Sequence, residues 1–469
     1  MGARLSEGFL DHAKRRPDLP ALIWRGSITT YGELASLARA ATPVDETGQP
    51  MAIVARKSPA TVAAVLAGLM AGRPVFLPSP ELPPDVLRRL LEDAGCGSAA
   101  AALGPDIALM LTTSGSTGAP KVVPLTHGGI LRFAAWAASR FDIRSGTTVL
   151  SYAPLNFDLS LLDVWTTLEH GGCVALVDPD HAMRGTHLLR TVAEHDVAVV
   201  QGVPMLYRLL LDAARREGPY LERVAHAIFT GDHLPRTALA ALPRLFPAAR
   251  LSNVYGCTET NDSFIHELVD PPPTDGPLPI GTALPGVEAH IVGADGRIVQ
   301  GAGRGELVVA TPFQTPGYLP AGRNEGRFVR RPDRDGACRY FRTGDLVSRT
   351  GDGVVTLEGR LDALVKVRGV GVFLPAVEGV IADHPHVVEV AVVAVEDELA
   401  GRRLHAVVRR RGGSDLNSLA VRRHCARFLG GPAIPSSIEI VTTPLARTAT
   451  GKVDRRRLSR PRERSSDHD

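Results

Sequence analysis

The densest cluster of residues able to do chemistry is LTTSGSTGAPK at residues 111–121. Small residues let a backbone approach phosphate oxygens closely, and hydroxyls and N–H groups donate to them. Lys121 adds a positive charge. Thr113, Ser114, Gly115, Ser116, Thr117, Gly118 and Lys121 are the candidate phosphate-binding set. A plain Ser/Gly linker is the bland alternative. It is disfavoured because an apolar strand precedes the cluster and Lys-Val-Val-Pro follows it. The GxxxxGK[ST] spacing is absent, so an ordinary P-loop nucleotidase is disfavoured too. GAGRGE at residues 301–306 mimics a Gly-rich nucleotide motif, but it sits in a β-rich tract with no helix after it and reads as a turn. Asp383, His384 and His386 have metal-ligand types without a third separated ligand group, so they read as surface residues.

These groups need a scaffold. Residues 51–55, 73–77, 147–152, 173–177, 198–201 and 225–229 read as strands, and helical patterns at 60–71 and 85–94 alternate with them. Strand–helix alternation predicts parallel sheets covered by helices. From Gly286 the texture changes to short strands at 288–292, 305–310 and 354–358 between Gly-rich turns, a β-rich subdomain. A β–α–β–β tract follows, with strands at 363–367, 387–395 and 403–410 and a helix near 376–383. The fold class is therefore α/β. A large N-terminal domain has two mostly parallel helix-covered sheets plus a β-rich subdomain, and a small α+β domain follows. The expected boundary divides residues 1–359 from 360–469.

Composition excludes several classes. The 469 residues are 44% hydrophobic and 22% charged, ordinary for a soluble protein and incompatible with disorder over most of the chain. Aromatics are only 5%, so Ala, Val and Leu must fill the core. The net charge of +3 hides an uneven distribution. Residues 452–464 carry seven basic and two acidic residues, and the rest is nearly neutral. A nucleic-acid binder would be basic over a domain face, so no nucleic-acid partner is expected. The basic run is a solvated tail or a contact for an acidic partner. No apolar stretch is long enough to span a bilayer, and the first residues lack a signal-peptide core. Cys96, Cys173, Cys257, Cys338 and Cys425 are scattered without CxxC, which reads as free thiols in the cytoplasm.

Six segments, taken in order, resemble the adenylate-forming superfamily of acyl-CoA ligases, luciferases and amino-acid adenylation domains. They are TYGELASLARA at Tyr31, TSGSTGAPK at Lys121, VYGCTE at residues 254–259, YFRTGDL at 340–346, GRLDALVKVRG at 359–369 and TGKVDR at 450–455. The resemblance covers nearly the whole chain. It implies attack of a carboxylate on the α-phosphorus of ATP, giving an acyl adenylate and pyrophosphate, with Mg²⁺ as cofactor. It assigns Thr113, Ser114, Ser116, Thr117 and Lys121 to the β- and γ-phosphates, Thr258 to the α-phosphate and Glu259 to the metal. Tyr255 and Gly256, with Gly231 and Asp232, would surround adenine. Asp345 would take the ribose hydroxyls with Arg360 nearby. Lys452 would be the catalytic lysine, and Asp362 the hinge of a mobile C-terminal domain.

NFDLS at residues 156–160 resembles the FDxS box of amino-acid adenylation domains, where the Asp pairs with the substrate ammonium. An ammonium taken into a pocket needs an opposed carboxylate. Asp158 is thus the expected anchor, with a cap on a helix starting at Leu159 as the alternative. The implied pocket comprises Asp158, Leu159, Leu162, Gln201, Ile228, Thr230, Val254, Asp262 and Ser263. Its polar wall suits a small polar or diamino acid such as serine or 2,3-diaminopropionate. APLNFDLSLLDVWTTL resembles free-standing prolyl carrier-protein ligases, which keeps proline in view. Asp262 could equally face solvent or cap a helix. A free-standing enzyme of this kind needs a separate carrier protein with a phosphopantetheine thiol. CoA is the alternative acceptor, an acyl-CoA or aryl-acid CoA ligase the alternative activity, and a non-catalytic adenylate-binding regulator the alternative of another class. Two residues depart from the family pattern: Cys257 stands where relatives have Pro, and Gly371 where many have Arg.

Overall fold

The strands that the sequence marks as apolar runs form the centre of a long twisted sheet. In the computed structural model, strands Pro20–Trp24, Cys173–Leu176, Thr148–Ser151, Val199–Gly202, His226–Thr230 and Arg250–Cys257 lie side by side, all parallel. Parallel strands covered on both faces should be apolar throughout. Every residue of Cys173–Leu176, Val199–Gly202 and His226–Thr230 is buried. The structure describes residues 3–42, 48–96, 106–113, 120–218, 220–232, 234–268, 278–330, 339–361, 364–367, 370–397, 401–447 and 453–458.

Antiparallel additions flank this centre. Ser27–Thr30 closes a hairpin on Pro20–Trp24, and Asn261–Glu267 folds back on Arg250–Cys257. Pro279–Ala283 pairs with Asn261–Glu267 and with residues Val355 and Thr356. The β-rich tract is therefore continuous with the large sheet. A second sheet is built from Met51–Ala52, Val75–Phe76, Ile107–Thr113 and Lys121–Thr126; its first three strands are parallel and the last antiparallel. Helix Pro59–Met70 begins where Ser58 accepts from Thr61 N with Pro59 at the first helical position, a compatible start. Helix Tyr31–Ala40 starts with a capping box of Thr30 and Glu33.

The chain divides into two units. One comprises Met1–Leu234, Ala238–Thr343 and Ser348–Thr356, and the other Pro235–Thr237, Gly344–Val347 and Leu357–Asp469. The smaller unit holds the hairpin Leu364–Val367 and Val370–Phe373, and Gly401–Arg410 paired with Val387–Asp397 and Ser437–Val441. Helices Leu374–Ala382 and Ser418–Cys425 share an apolar cluster with these strands, including Ile381, Val392, Ala406 and Val421. Gly303–Ala310 is a strand paired with Glu288–Val292, so no helix follows the glycines at 301–303. Among the described residues no helix is long and apolar enough to cross a membrane, no His/Cys/Asp/Glu group could hold a metal, and the four described cysteines are free.

Candidate active site

Open α/β sheets place ligands beyond the carboxyl ends of their strands. The sequence-derived candidates collect there. Gln201 is next to last in its strand, Thr230 is last in its own, and Gly231 follows with φ +82°. Gly231 and Asp232 are exposed. Pairing aligns Gln201 with Ile228, Ile228 with Ser252, and Thr230 with Val254. In-register partners, and residues two apart, share a face. Gln201, Ile228, Thr230 and Val254 therefore line one face of the sheet. Ile228 and Val254 join Leu162 in the core cluster beneath it.

The phosphate-loop candidates Ser114, Gly115, Ser116, Thr117 and Gly118 lie outside the described residues, as do Asp362 and Lys452. The ends of the loop are fixed, because Thr113 pairs with Lys121 as the last rung of an antiparallel hairpin. Thr113 Oγ1 is buried without a hydrogen-bond partner. Lys121 is buried, and its ammonium sits 4.4 Å over the Tyr318 ring. Burial lowers its pKa, with Arg327 adding to the effect and Glu259 opposing it. The Tyr318 hydroxyl donates to Glu259 Oε1 at 2.6 Å. Desolvation and the Glu259 charge push the Tyr318 pKa up, so this hydroxyl stays protonated. A buried cation, an orphaned hydroxyl and a buried carboxylate fit the phosphates and metal of a nucleotide. Tyr318 was not legible in the sequence, because it stands 59 positions from its partner with no motif linking them.

The turn carrying Thr258 and Glu259 connects Arg250–Cys257 to Asn261–Glu267. Pro fixes φ, so Cys257 in its place removes one constraint on this turn. The turn is pinned all the same. Thr260 N donates to Cys257 O at 3.1 Å, Thr315 N to Glu259 O at 2.9 Å, and Thr311 Oγ1 to Thr260 O at 2.7 Å. Tyr255 is buried edge-on against Phe264, with ring centroids 6.0 Å apart. A Cβ on Gly256 would lie 2.3 Å from Asn261 O, so this close backbone approach requires glycine.

At the mouth of the pocket, Thr258 Oγ1 donates to Asp158 Oδ2 at 2.7 Å. The helical segment begins at Leu161 rather than Leu159, and its first turns are wide π-turns over Leu161–Thr166. Wide turns of this kind recur at functional sites. Asp262 is half-buried by surface yet set deep in protein. Desolvation and the nearby Asp158 charge push its carboxyl up to about 8. The Asp158 charge therefore acts on the Asp262 carboxyl. Ser263 is sealed and bonds within its own turn, to Asn261 O and the Thr260 hydroxyl, each at 3.2 Å. The Gln201 amide donates to Leu159 O at 3.0 Å and Asp163 Oδ1 at 2.9 Å. The polar wall is therefore satisfied in part by protein.

In the smaller unit, Arg360 Nη1 bonds Asp345 Oδ1 at 3.1 Å. Next to Lys452, Val453 bridges Arg447, Asp454 N donates to Ala446 O, and Arg455 pairs with Glu378 at 2.7 Å. Gly371 lies in the strand Val370–Phe373. The His384 and His386 rings are tilted against each other with centroids 5.7 Å apart.

Fold and site together define an adenylate-forming enzyme. Residues 97–319 match the AMP-binding enzyme family and residues 376–452 its C-terminal domain. The chain is 32% identical over 357 residues to the L-proline–[L-prolyl-carrier protein] ligase of Pseudomonas fluorescens, covering 76% of this chain and 68% of the relative. It is 34% identical to the enzyme of the same name from Streptomyces coelicolor, covering 75% of this chain and 66% of that relative. The chain thus spans about two thirds of the length of these ligases. O-succinylbenzoate coenzyme A synthetase (MenE) from Bacillus subtilis, solved in complex with AMP, has the same fold. Its TM-score is 0.81 at 22% identity, covering 98% of this chain and 99% of that one. The chain belongs to the AMP-binding enzyme family and is an AMP-forming ligase.

Proposed function

We propose that the protein activates a small amino acid as its aminoacyl adenylate and passes it to the phosphopantetheine thiol of a separate carrier protein. The observation that carries this reading is the Asp158 carboxylate at the pocket mouth, held by Thr258, with Asp262 in reach of its charge. A fatty or aryl acid has no use for such a carboxylate, whereas an ammonium does. The carrier-protein relatives support the transfer step.

The chemistry then divides in two. A substrate carboxylate oxygen bonds the α-phosphorus of ATP as the bond to pyrophosphate breaks. Negative charge shifts among phosphate oxygens, so the enzyme's task is positioning and electrostatic stabilisation. Thr113 and Lys121 fit the departing phosphates. Mg²⁺ would supply charge neutralisation, and Glu259 would be the carboxylate that holds it. Lys452 is the proposed catalytic cation and Asp345 the ribose acceptor. In the second step the carrier thiolate bonds the carbonyl carbon and AMP leaves.

A finer reading follows from the coupling of Asp262 to Asp158. One ammonium satisfies one carboxylate, and the second favours a substrate with a second amine, such as 2,3-diaminopropionate. Serine and proline are the competing substrates. The test is ATP–pyrophosphate exchange over a panel of 2,3-diaminopropionate, serine, alanine, proline, and simple fatty and aryl acids. Amino-acid-dependent exchange is expected, falling by about two orders of magnitude or more in Asp158→Ala. Lys452→Ala should stop exchange while ATP still binds. Exchange with fatty or aryl acids alone, insensitive to Asp158→Ala, would defeat the reading.

A further inference from the structure

Beneath the proposed substrate pocket lies a buried polar cluster that the adenylation chemistry does not use. Lys57 is buried, and its ammonium donates to Ser151 O at 2.7 Å and Tyr152 O at 3.0 Å. Asp163, fully buried on the π-turn, accepts from Gln201 Nε2 through Oδ1, while its Oδ2 has no partner. Buried lysines and aspartates are costly unless they satisfy something. Burial pushes Lys57 down to about 7 and Asp163 well above the usual carboxylate range, and each charge partly offsets the shift of the other.

What Asp163 satisfies is Gln201. Its NH₂ has two hydrogens, and both are used, on Leu159 O and Asp163 Oδ1. Turning the amide over would set its carbonyl oxygen against those two acceptors. The orientation is therefore fixed, and Oε1 is the free end. Among the described residues nothing donates to Oε1, and unlike Asp163 Oδ2 it is not sealed from solvent. Gln201 shares its sheet face with Ile228, Thr230 and Val254.

We infer that Asp163 and the Leu159 carbonyl lock the Gln201 amide so that Oε1 presents a hydrogen-bond acceptor to the substrate, selecting an amino acid whose side chain carries a donor. This deepens the amino-acid reading above and rests on it. Asp163 is a positioning residue, and Gln201 is the specificity-determining one. A site built around an acceptor discriminates against an analogue lacking the donor, because the acceptor is then left unpaired. Serine and 2,3-diaminopropionate carry a side-chain donor, and alanine does not.

The test is the ratio of kcat/KM in ATP–pyrophosphate exchange for the better of serine and 2,3-diaminopropionate against alanine. The wild type should favour the donor-bearing acid by about tenfold or more. Gln201→Met, of similar volume, should bring the ratio to about one. Asp163→Leu should do the same, and Asp163→Asn, whose Oδ1 can still accept from Gln201, should keep it. A merely structural role would lower kcat/KM for all substrates alike and leave the ratio unmoved. Should Asp163→Leu fail to fold, the wild-type ratio and Gln201→Met still decide. A ratio near one in the wild type, or one unchanged in Gln201→Met, overturns the inference alone. Absence of exchange with every amino acid overturns the amino-acid reading and this inference with it.

Discussion

Single residues in this site act through their neighbours' charge. Asp262, raised to about 8, holds its proton at neutral pH in the free protein. A second substrate ammonium can pair with it only after that proton leaves. Binding of 2,3-diaminopropionate should therefore release a proton below pH 8. Apparent affinity should rise with pH, by up to about tenfold per unit, while both substrate amines stay protonated. Calorimetry in buffers of different ionisation enthalpy reads the proton directly. Asp262→Asn should abolish the release, and a pH-independent affinity in the parent protein would refute the pairing. Stability has the opposite slope. Between the ordinary carboxyl range and about 8 the native state binds the extra proton, so this group's contribution is full at low pH and is lost as pH rises through 8. Tyr318 is the second case. Among the described residues it is the side chain that donates to the buried Glu259 carboxylate. Tyr318→Phe should cost about 1–3 kcal/mol in thermal unfolding and slow exchange by loosening Glu259. Unchanged melting and exchange would show that the hydroxyl does nothing there.

At the scale of elements, the turn between Arg250–Cys257 and Asn261–Glu267 carries Thr258 and Glu259 and leads into Asp262, and its tightness depends on Gly256. A methyl there would meet the Asn261 backbone at 2.3 Å, and backbone cannot yield as a side chain can. Gly256→Ala should destabilise by about 1–3 kcal/mol or more and depress exchange beyond what the lost stability explains. Normal exchange at a temperature where the variant is folded would remove the turn from the mechanism. Much of this element structure was legible. The runs at 173–177, 198–201 and 225–229 stand as strands within a residue or two, because buried parallel strands are apolar without interruption. The strand at Arg339–Arg349 escaped notice, since charged residues break its apolar pattern. The π-turn at Leu161–Thr166 has the same apolar texture as an ordinary helix, so sequence spacing could not reveal it. Motif boxes located Asp158, Thr258 and Glu259. Lys57, Asp163 and Tyr318 escaped because each meets its partner only through the fold.

The whole molecule places its apolar residues in separate clusters. The larger unit has two extensive ones, about Leu162 and Leu206, and the smaller unit has its own about Val392. Chains with more than one core commonly depart from two-state unfolding. Scanning calorimetry should then show two transitions, the smaller unit of 120 residues contributing about 80 kcal/mol near 60 °C. Directed cavities distinguish the transitions. Ile381 is fully buried in the small cluster and Leu206 in the large unit. Removing either side chain to Ala should cost about 2–5 kcal/mol. For the smaller unit, Ile381→Ala should lower its transition by about 10 °C or more and leave the larger in place. Leu206→Ala should lower only the larger transition, and by fewer degrees, because the same free energy is set against a larger unfolding entropy. If both variants move a single transition together, the two clusters unfold as one cooperative unit.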